Sequence, residues 1–230
     1  MTMHATNADF SASFPVPSAR LEAFIAATDF ARPTLVIEID RVDTQYRALA
    51  AGLGQAAIHY AVKANPAPEI IERLVALGSK FDAASRGEIE LCLRHGAHPD
   101  TISYGNTIKR VADIAYAHQV GITLFAADAA EEIEKIAAHA PGAEVYIRLL
   151  VEASGADWPL TRKFGTTRDT ALALMAQARD LGLRPVGLSF HVGSQTRDPL
   201  MWGDTLAQIA AVWDAAVAAG FDLDLLNIGG

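Results

Sequence analysis

From Thr34 onward, short β-branched or apolar runs alternate with longer stretches in which apolar residues recur three or four apart, and Gly, Pro, Asn and Asp mark the joints. The runs predict strands over residues 58–62, 80–83, 101–104, 123–125, 144–149, 186–190 and 225–228. The periodic stretches predict helices over 69–77, 86–95, 108–118, 129–140, 170–181 and 206–219. Several of these run into Gly78, Gly96, Gly121, Gly182 or Gly220, where a left-handed residue is expected to close the last turn.

Each predicted strand except the last leads into a helix, and strands joined by crossover helices lie parallel. Repetition of this unit gives either a closed α/β barrel of the TIM type or an open doubly wound sheet. Closure needs eight strands, yet Gly229 and Gly230 follow directly on the seventh, so the barrel is expected to be unfinished, either shortened or completed by another chain. Residues 1–18 are rich in Ser, Ala and Pro without a sustained period and read as a mobile arm. The expected division is an arm and lead-in helix over 1–32 and an incomplete barrel over 33–230.

Composition narrows the function classes. Hydrophobic residues are 51% and charged residues 20% of the chain, which fits a packed globular domain and excludes a disordered one. The formal charge of −8, with no basic block, argues against nucleic acid and favours a cationic small molecule. Cys92 is the single cysteine and lies in an apolar helical pattern, so no internal disulfide can form and a packing role is expected. The first fifteen or so residues lack the apolar run of a signal peptide, and no stretch of about eighteen apolar residues occurs, so a cytoplasmic protein is expected.

The candidate chemistry begins at His59-Tyr60-Ala61-Val62-Lys63-Ala64-Asn65-Pro66, which puts a lysine at the carboxyl end of the first barrel strand. That end carries the active site in βα-barrels. The bland alternative is a solvated lysine at a strand terminus, the commoner case for an arbitrary barrel. Against it stands Ser189-Phe190-His191-Val192-Gly193-Ser194-Gln195 at the end of the sixth strand, where an imidazole that can stack on a flat ring emerges with glycine and serine. Asn227-Ile228-Gly229-Gly230 offers a second glycine turn through which backbone can approach a phosphate. Taken together these residues describe a phosphate-bearing aromatic cofactor facing a lysine.

The same residues, with Phe81-Asp82-Ala83-Ala84-Ser85 and Glu88, Arg148, and Lys163-Phe164-Gly165 between them, resemble the fold-type III pyridoxal-phosphate decarboxylases. These include the ornithine, lysine and diaminopimelate decarboxylases, and the resemblance extends over nearly the whole chain from Thr34. It implies that Lys63 is the lysine that binds pyridoxal 5'-phosphate, that His191 stacks on the ring, and that Ser194, Gly229 and Gly230 bind the phosphate. Asp82, Glu88 and Arg148 would form the polar network around them, with Lys63, His191, Asp82 and Glu88 catalytic and no metal required. Lys163 would lie in a segment that approaches a second subunit of a homodimer. Residues 34–38 would be a strand of the family's β-domain, whose cysteine Cys92 does not represent.

A Schiff-base lysine must lose its proton, which partial burial of Lys63 would favour. Asp82 and Glu88 would favour the ammonium once substrate displaces it, although both residues also suit the start of the next helix. The reaction implied is decarboxylation of a basic amino acid. The segment Trp158-Pro159-Leu160-Thr161-Arg162-Lys163-Phe164-Gly165 is similar to that of bacterial ornithine and lysine decarboxylases, which favours ornithine, with putrescine as product and polyamine biosynthesis as setting. Lysine or diaminopimelate remains an alternative substrate. A racemase of the same fold and a non-catalytic decarboxylase-like regulator are the other readings, and the presence of both Lys63 and His191 disfavours the regulator.

Overall fold

A computed structural model describes residues 16–151, 164–193 and 201–229. Its single sheet has seven parallel strands in sequence order: β1 (His59–Ala61), β2 (Lys80–Ala83), β3 (Ile102–Tyr104), β4 (Leu124–Ala127), β5 (Glu144–Arg148), β6 (Arg184–Ser189) and β7 (Leu225–Asn227). A helix follows each of the first six: α3 (Pro68–Ala76), α4 (Arg86–Arg94), α5 (Val111–Gln119), α6 (Ala130–His139), α7 (Arg168–Asp180) and α8 (Met201–Ala218). Sequential order with parallel pairing is the arrangement of a βα-barrel wall, and a doubly wound sheet, whose strand order reverses, is thereby excluded.

Alternation along the strands separates two environments. Phe81 and Ala83 on β2, Phe125 and Ala127 on β4, and Val145 and Ile147 on β5 are buried in one continuous apolar core that also holds Ile71, Ile89, Ile114, Ile133, Ile136 and Met175 from the helices. The intervening positions take the other face, and there the register aligns Asp82 with Ser103 and Arg148 with Ser189 and Asn227. The helices thus pack on apolar residues while the interior of the sheet is left polar.

Local chemistry fixes the helix ends. Pro68 opens α3, Ser85 caps α4 by accepting from the Glu88 amide at 3.3 Å, and Thr167 caps α7 through the Thr170 amide. Gly78, Gly96, Gly121, Gly182 and Gly220 all carry positive φ at the expected helix ends. Two stretches depart from expectation. The sequence reading has no helix between residues 38 and 58, whereas α2 (Ile39–Leu53) fills that interval, preceded by α1 (Ala19–Ala27). Residues 34–38, expected as a strand, form no ladder among the described residues, and Leu35 is exposed.

The helix expected from residue 108 starts at Val111, because Lys109 turns inward and its ammonium donates to the Asn106 and Ala126 carbonyls at 2.8 and 2.6 Å.

Candidate active site

The carboxyl ends of the strands gather Lys63, Asp82, Arg148, His191 and Gly229, with Glu88 in the first turn of α4. Lys63 follows β1 in a single 3-10 turn, Val62–Ala64, anchored by fully buried Val62. Asn65 braces this turn: its backbone carbonyl accepts from the Tyr60 hydroxyl at 3.1 Å, and its side-chain oxygen accepts from the Ala67 amide at 3.1 Å. Contrary to the expectation of partial burial, the Lys63 side chain is exposed, because the turn lifts it clear of β1.

Asp82, on β2, points away from the helices. Burial pushes its carboxyl up to about 6, against the opposing pull of nearby Lys63, while Glu88 raises it further and Ser103 and Arg148 lower it. Lys63, Asp82, Glu88 and Arg148 therefore share one electrostatic site. Its room comes from Gly105: a Cβ there would stand 1.7 Å from Asp82 Oδ1. Glu88 has a second duty, since its Oε2 accepts from the Ala84 amide at 2.7 Å just before α4. The helix-start reading thus holds for Glu88 and not for Asp82.

Arg148 closes β5, half-buried, and burial lowers its pKa while Asp128 counters that shift. Its guanidinium lies 5.3 Å from the centre of the Phe164 ring. The Phe164 segment is pinned to β5: Asp128 Oδ2 accepts from the Gly165 amide at 2.8 Å, and Thr166 N donates to the Arg148 carbonyl at 2.9 Å.

His191 follows β6, and its Nδ1 accepts from the Gly193 amide at 2.9 Å, which fixes the ring's orientation and places any proton of the neutral ring on Nε2. Gly229 packs against the same turn. A Cβ on residue 229 would lie 2.6 Å from the Phe190 carbonyl oxygen and 3.2 Å from His191 Cα, and φ is +74°, so only glycine fits. Ser194, Gly230 and Lys163 lie outside the described residues, as do positions 158–162. Cys92 is a packing residue, buried in α4 with its thiol pushed up to about 12 by burial.

Three groups of this interior were not singled out in the sequence. Tyr146 is buried two residues before Arg148 on β5, where burial raises the pKa of its phenol while Ser103 and Asn227 act against that shift. Ser103 lies between Phe81 and Asp82, and Asp128 faces Arg148. A signal was present: in Glu144-Val145-Tyr146-Ile147-Arg148 the polar residues alternate, placing Tyr146 on the face of Arg148.

These residues match a family model for the pyridoxal binding domain of pyridoxal-dependent decarboxylases over residues 39–230, and the chain belongs to this family. It is 37% identical over 198 residues to a lysine/ornithine decarboxylase of Selenomonas ruminantium, covering 86% of this chain and 50% of that protein. A solved variant of the Selenomonas lysine decarboxylase in complex with PLP superposes with a TM-score of 0.87 at 35% identity, over 94% of this chain and 56% of that one. A Vibrio vulnificus lysine/ornithine decarboxylase complexed with putrescine gives 0.83 at 35% identity, over 94% and 58%. The chain therefore spans about half the length of the relatives it matches.

Pyridoxal phosphate is the cofactor of this domain family. The residues present fit it: an accessible amine on Lys63 beside a carboxylate, an imidazole held in place by Gly193, and a turn at Gly229 too close to backbone for any side chain. No helix among the described residues is long and apolar enough to cross a membrane.

Proposed function

We propose that Lys63 holds pyridoxal phosphate and that the chain serves the decarboxylation of a basic amino acid, with ornithine as substrate and putrescine as product. The observation that carries this reading is the placement of Lys63 at the carboxyl end of β1 within the electrostatic reach of half-buried Asp82. When bound, the cofactor supplies an electron sink for the pair left behind as carbon dioxide departs.

The chain's own residues supply the rest. Asp82, with its carboxyl near 6, is largely ionised at neutral pH and offers the Lys63 ammonium a counter-charge when the amine is released. Glu88 adds negative charge there while fixing the start of α4. His191 presents a flat ring, Arg148 brings positive charge to the mouth, and Gly229, with Ser194 and Gly230, admits the phosphate. The names of the relatives support a diamino acid, and the net charge of −8 favours a cationic substrate. The family resemblance supports a cytoplasmic homodimer and a role in polyamine biosynthesis.

The test is to add pyridoxal phosphate to the purified chain and to Lys63→Ala, record the absorbance of lysine-linked cofactor, reduce with borohydride and map the modified residue. Label on Lys63, absent from the variant, supports the reading. No Lys63-dependent label in a folded chain overturns it for this chain. Carbon dioxide release from ornithine, lysine and diaminopimelate then ranks the substrates.

A further inference from the structure

Among the described residues the Lys63 amine makes no hydrogen bond and no ion pair, so its place is set by the turn that carries it. That turn is short. Fully buried Val62 fixes its start, and Pro66 fixes its end by holding Asn65 extended, at φ −160° and ψ 106°, as the residue before a proline prefers.

The two flanks of the turn are tied to each other. Tyr60, on β1 before Lys63, packs its ring against the core and donates its hydroxyl to the Asn65 carbonyl, beyond Lys63, at 3.1 Å. No backbone amide among the described residues donates to that carbonyl, so the phenol meets a need that the sheet and helix leave open. Asn65 continues the tie: its Oδ1 accepts from the Ala67 amide at 3.1 Å, immediately before Pro68 opens α3. β1 and α3 are thereby joined across the Lys63 turn. The sheet register shows what this orients, since Ala61 pairs with Asp82 and the turn begins at the next residue. Burial raises the Asp82 carboxyl, and Lys63 leads the groups that oppose the rise, in keeping with that placement.

We infer that Tyr60, clasped to Asn65, is a positioning residue that holds the Lys63 turn so that the amine stands beside Asp82. What the amine does there rests on the function proposed above; the clasp itself does not. Tyr60→Phe keeps the ring and its packing and removes only the donor, so the turn gains freedom and the amine spends less time beside the carboxylate. One net hydrogen bond is worth about a fivefold change in such an equilibrium.

The experiment follows the side-chain carboxyl of Asp82 by carbon NMR against pH in the cofactor-free chain, assigned with Asp82→Asn. The Asp82 midpoint is expected to rise by about half a pH unit in Tyr60→Phe and by more in Lys63→Met, because the charged form loses a neighbouring cation. Added to Lys63→Met, Tyr60→Phe is expected to change nothing further. Glu88, Ser103 and Arg148 also act on Asp82, and an effect that reached it through them would persist without Lys63. An unmoved midpoint in Tyr60→Phe, or the same rise with Lys63 absent, overturns the inference; a purely packing role for the ring leaves the midpoint in place. Should Tyr60→Phe fail to fold, Asn65→Ala loosens the same turn from its α3 side and should raise the midpoint, while Asn65→Ser, whose hydroxyl can accept in the same way, should restore most of it. No rise in Asn65→Ala would overturn the inference equally. Because no cofactor is present, this result stands apart from the Lys63 labelling, whose failure would sink the proposed function and leave the clasp standing.

Discussion

Asp82 lies across Gly105: its Oδ1 occupies a point 1.7 Å from where a Cβ on residue 105 would stand. No positive φ holds residue 105, and the obstructing atoms all belong to the carboxylate end of one side chain, so Gly105→Ala can be relieved by turning Asp82 away. The expected outcome is an intact fold with a misplaced carboxylate. Thermal unfolding should stay within a few degrees of wild type, while capture of pyridoxal phosphate on Lys63 falls on the order of tenfold or more. Borohydride labelling alongside a melt measures both; equal losses of stability and labelling would mean that the backbone, not the carboxylate, had moved.

The raised carboxyl of Asp82 also sets a stability cost. Its ordinary value is 3.8 and its folded value about 6, so the folded chain binds the proton more tightly than the unfolded chain. The stability this supplies is complete below about pH 4 and lost as pH rises through 6. At pH 7 the half-buried carboxylate costs up to roughly 3 kcal/mol relative to its protonated form. Asp82→Asn is therefore expected to stabilise the chain at pH 7 by up to that amount, with the gain shrinking toward pH 4, and to depress Lys63 labelling. Urea unfolding across this range decides it: a gain that does not depend on pH, or none at pH 7, rejects the cost.

Much of this site could be read from the sequence because it sits at strand ends. Lys63, Asp82, Arg148 and His191 each close or follow an apolar run, and in a barrel that position alone brings them to one rim. The interior was harder. β5 is covered on both faces, so burial gives no contrast between Val145 and Tyr146, and a tyrosine in such a run reads as core. Gly105 drew no attention in the sequence because what it accommodates, Asp82, belongs to another strand. The α2 helix escaped notice because its apolar positions, Ile39, Val42 and Tyr46, are only partly buried and are set among Asp, Arg, Thr and Gln. Ser194 and Gly230 lie outside the described residues, and their roles remain those the resemblance implies.

Lys109 was hidden for a different reason: charged side chains are seldom fully buried, and its partner is far along the chain. Its ammonium lies 2.9 Å from Glu132 Oε1 with the Lys109 side chain 0% exposed, and Lys135 takes the other oxygen of Glu132 at 2.5 Å. Burial pushes Lys109 down to about 8 even against the pull of Glu132. Lys109→Met would leave Glu132 short of a counter-charge and the Asn106 and Ala126 carbonyls short of a donor, so a loss of about 3 kcal/mol is expected. Lys109→Met with Glu132→Leu should lose less than the two single changes together. Denaturant unfolding of the set measures the coupling; strict additivity would show that the buried pair does not act as a pair.

The junction of β6 with β7 rests on Gly187, which the register pairs with Leu225. A Cβ on residue 187 would stand 1.8 Å from the Leu225 carbonyl oxygen and 2.7 Å from its carbonyl carbon. Unlike the Asp82 carboxylate over Gly105, this obstacle is backbone, and it can yield only if β7 shifts. Such a shift carries Asn227 and Gly229 with it, because both follow within the same short strand and turn. Gly187→Ala is therefore expected to cost several kcal/mol, on the order of an overpacked core, and to abolish hydrogen-exchange protection of the Phe190 amide, which donates to the Asn227 carbonyl at 3.1 Å. Gly203→Ala provides the contrast: nothing lies within 4 Å of its Cβ position in α8. It should stabilise the chain by a few tenths to about 1 kcal/mol through helix propensity. If both changes were equally mild, the close approach of β7 to residue 187 would be disproved, and with it the attachment of the Gly229 turn to the rest of the sheet.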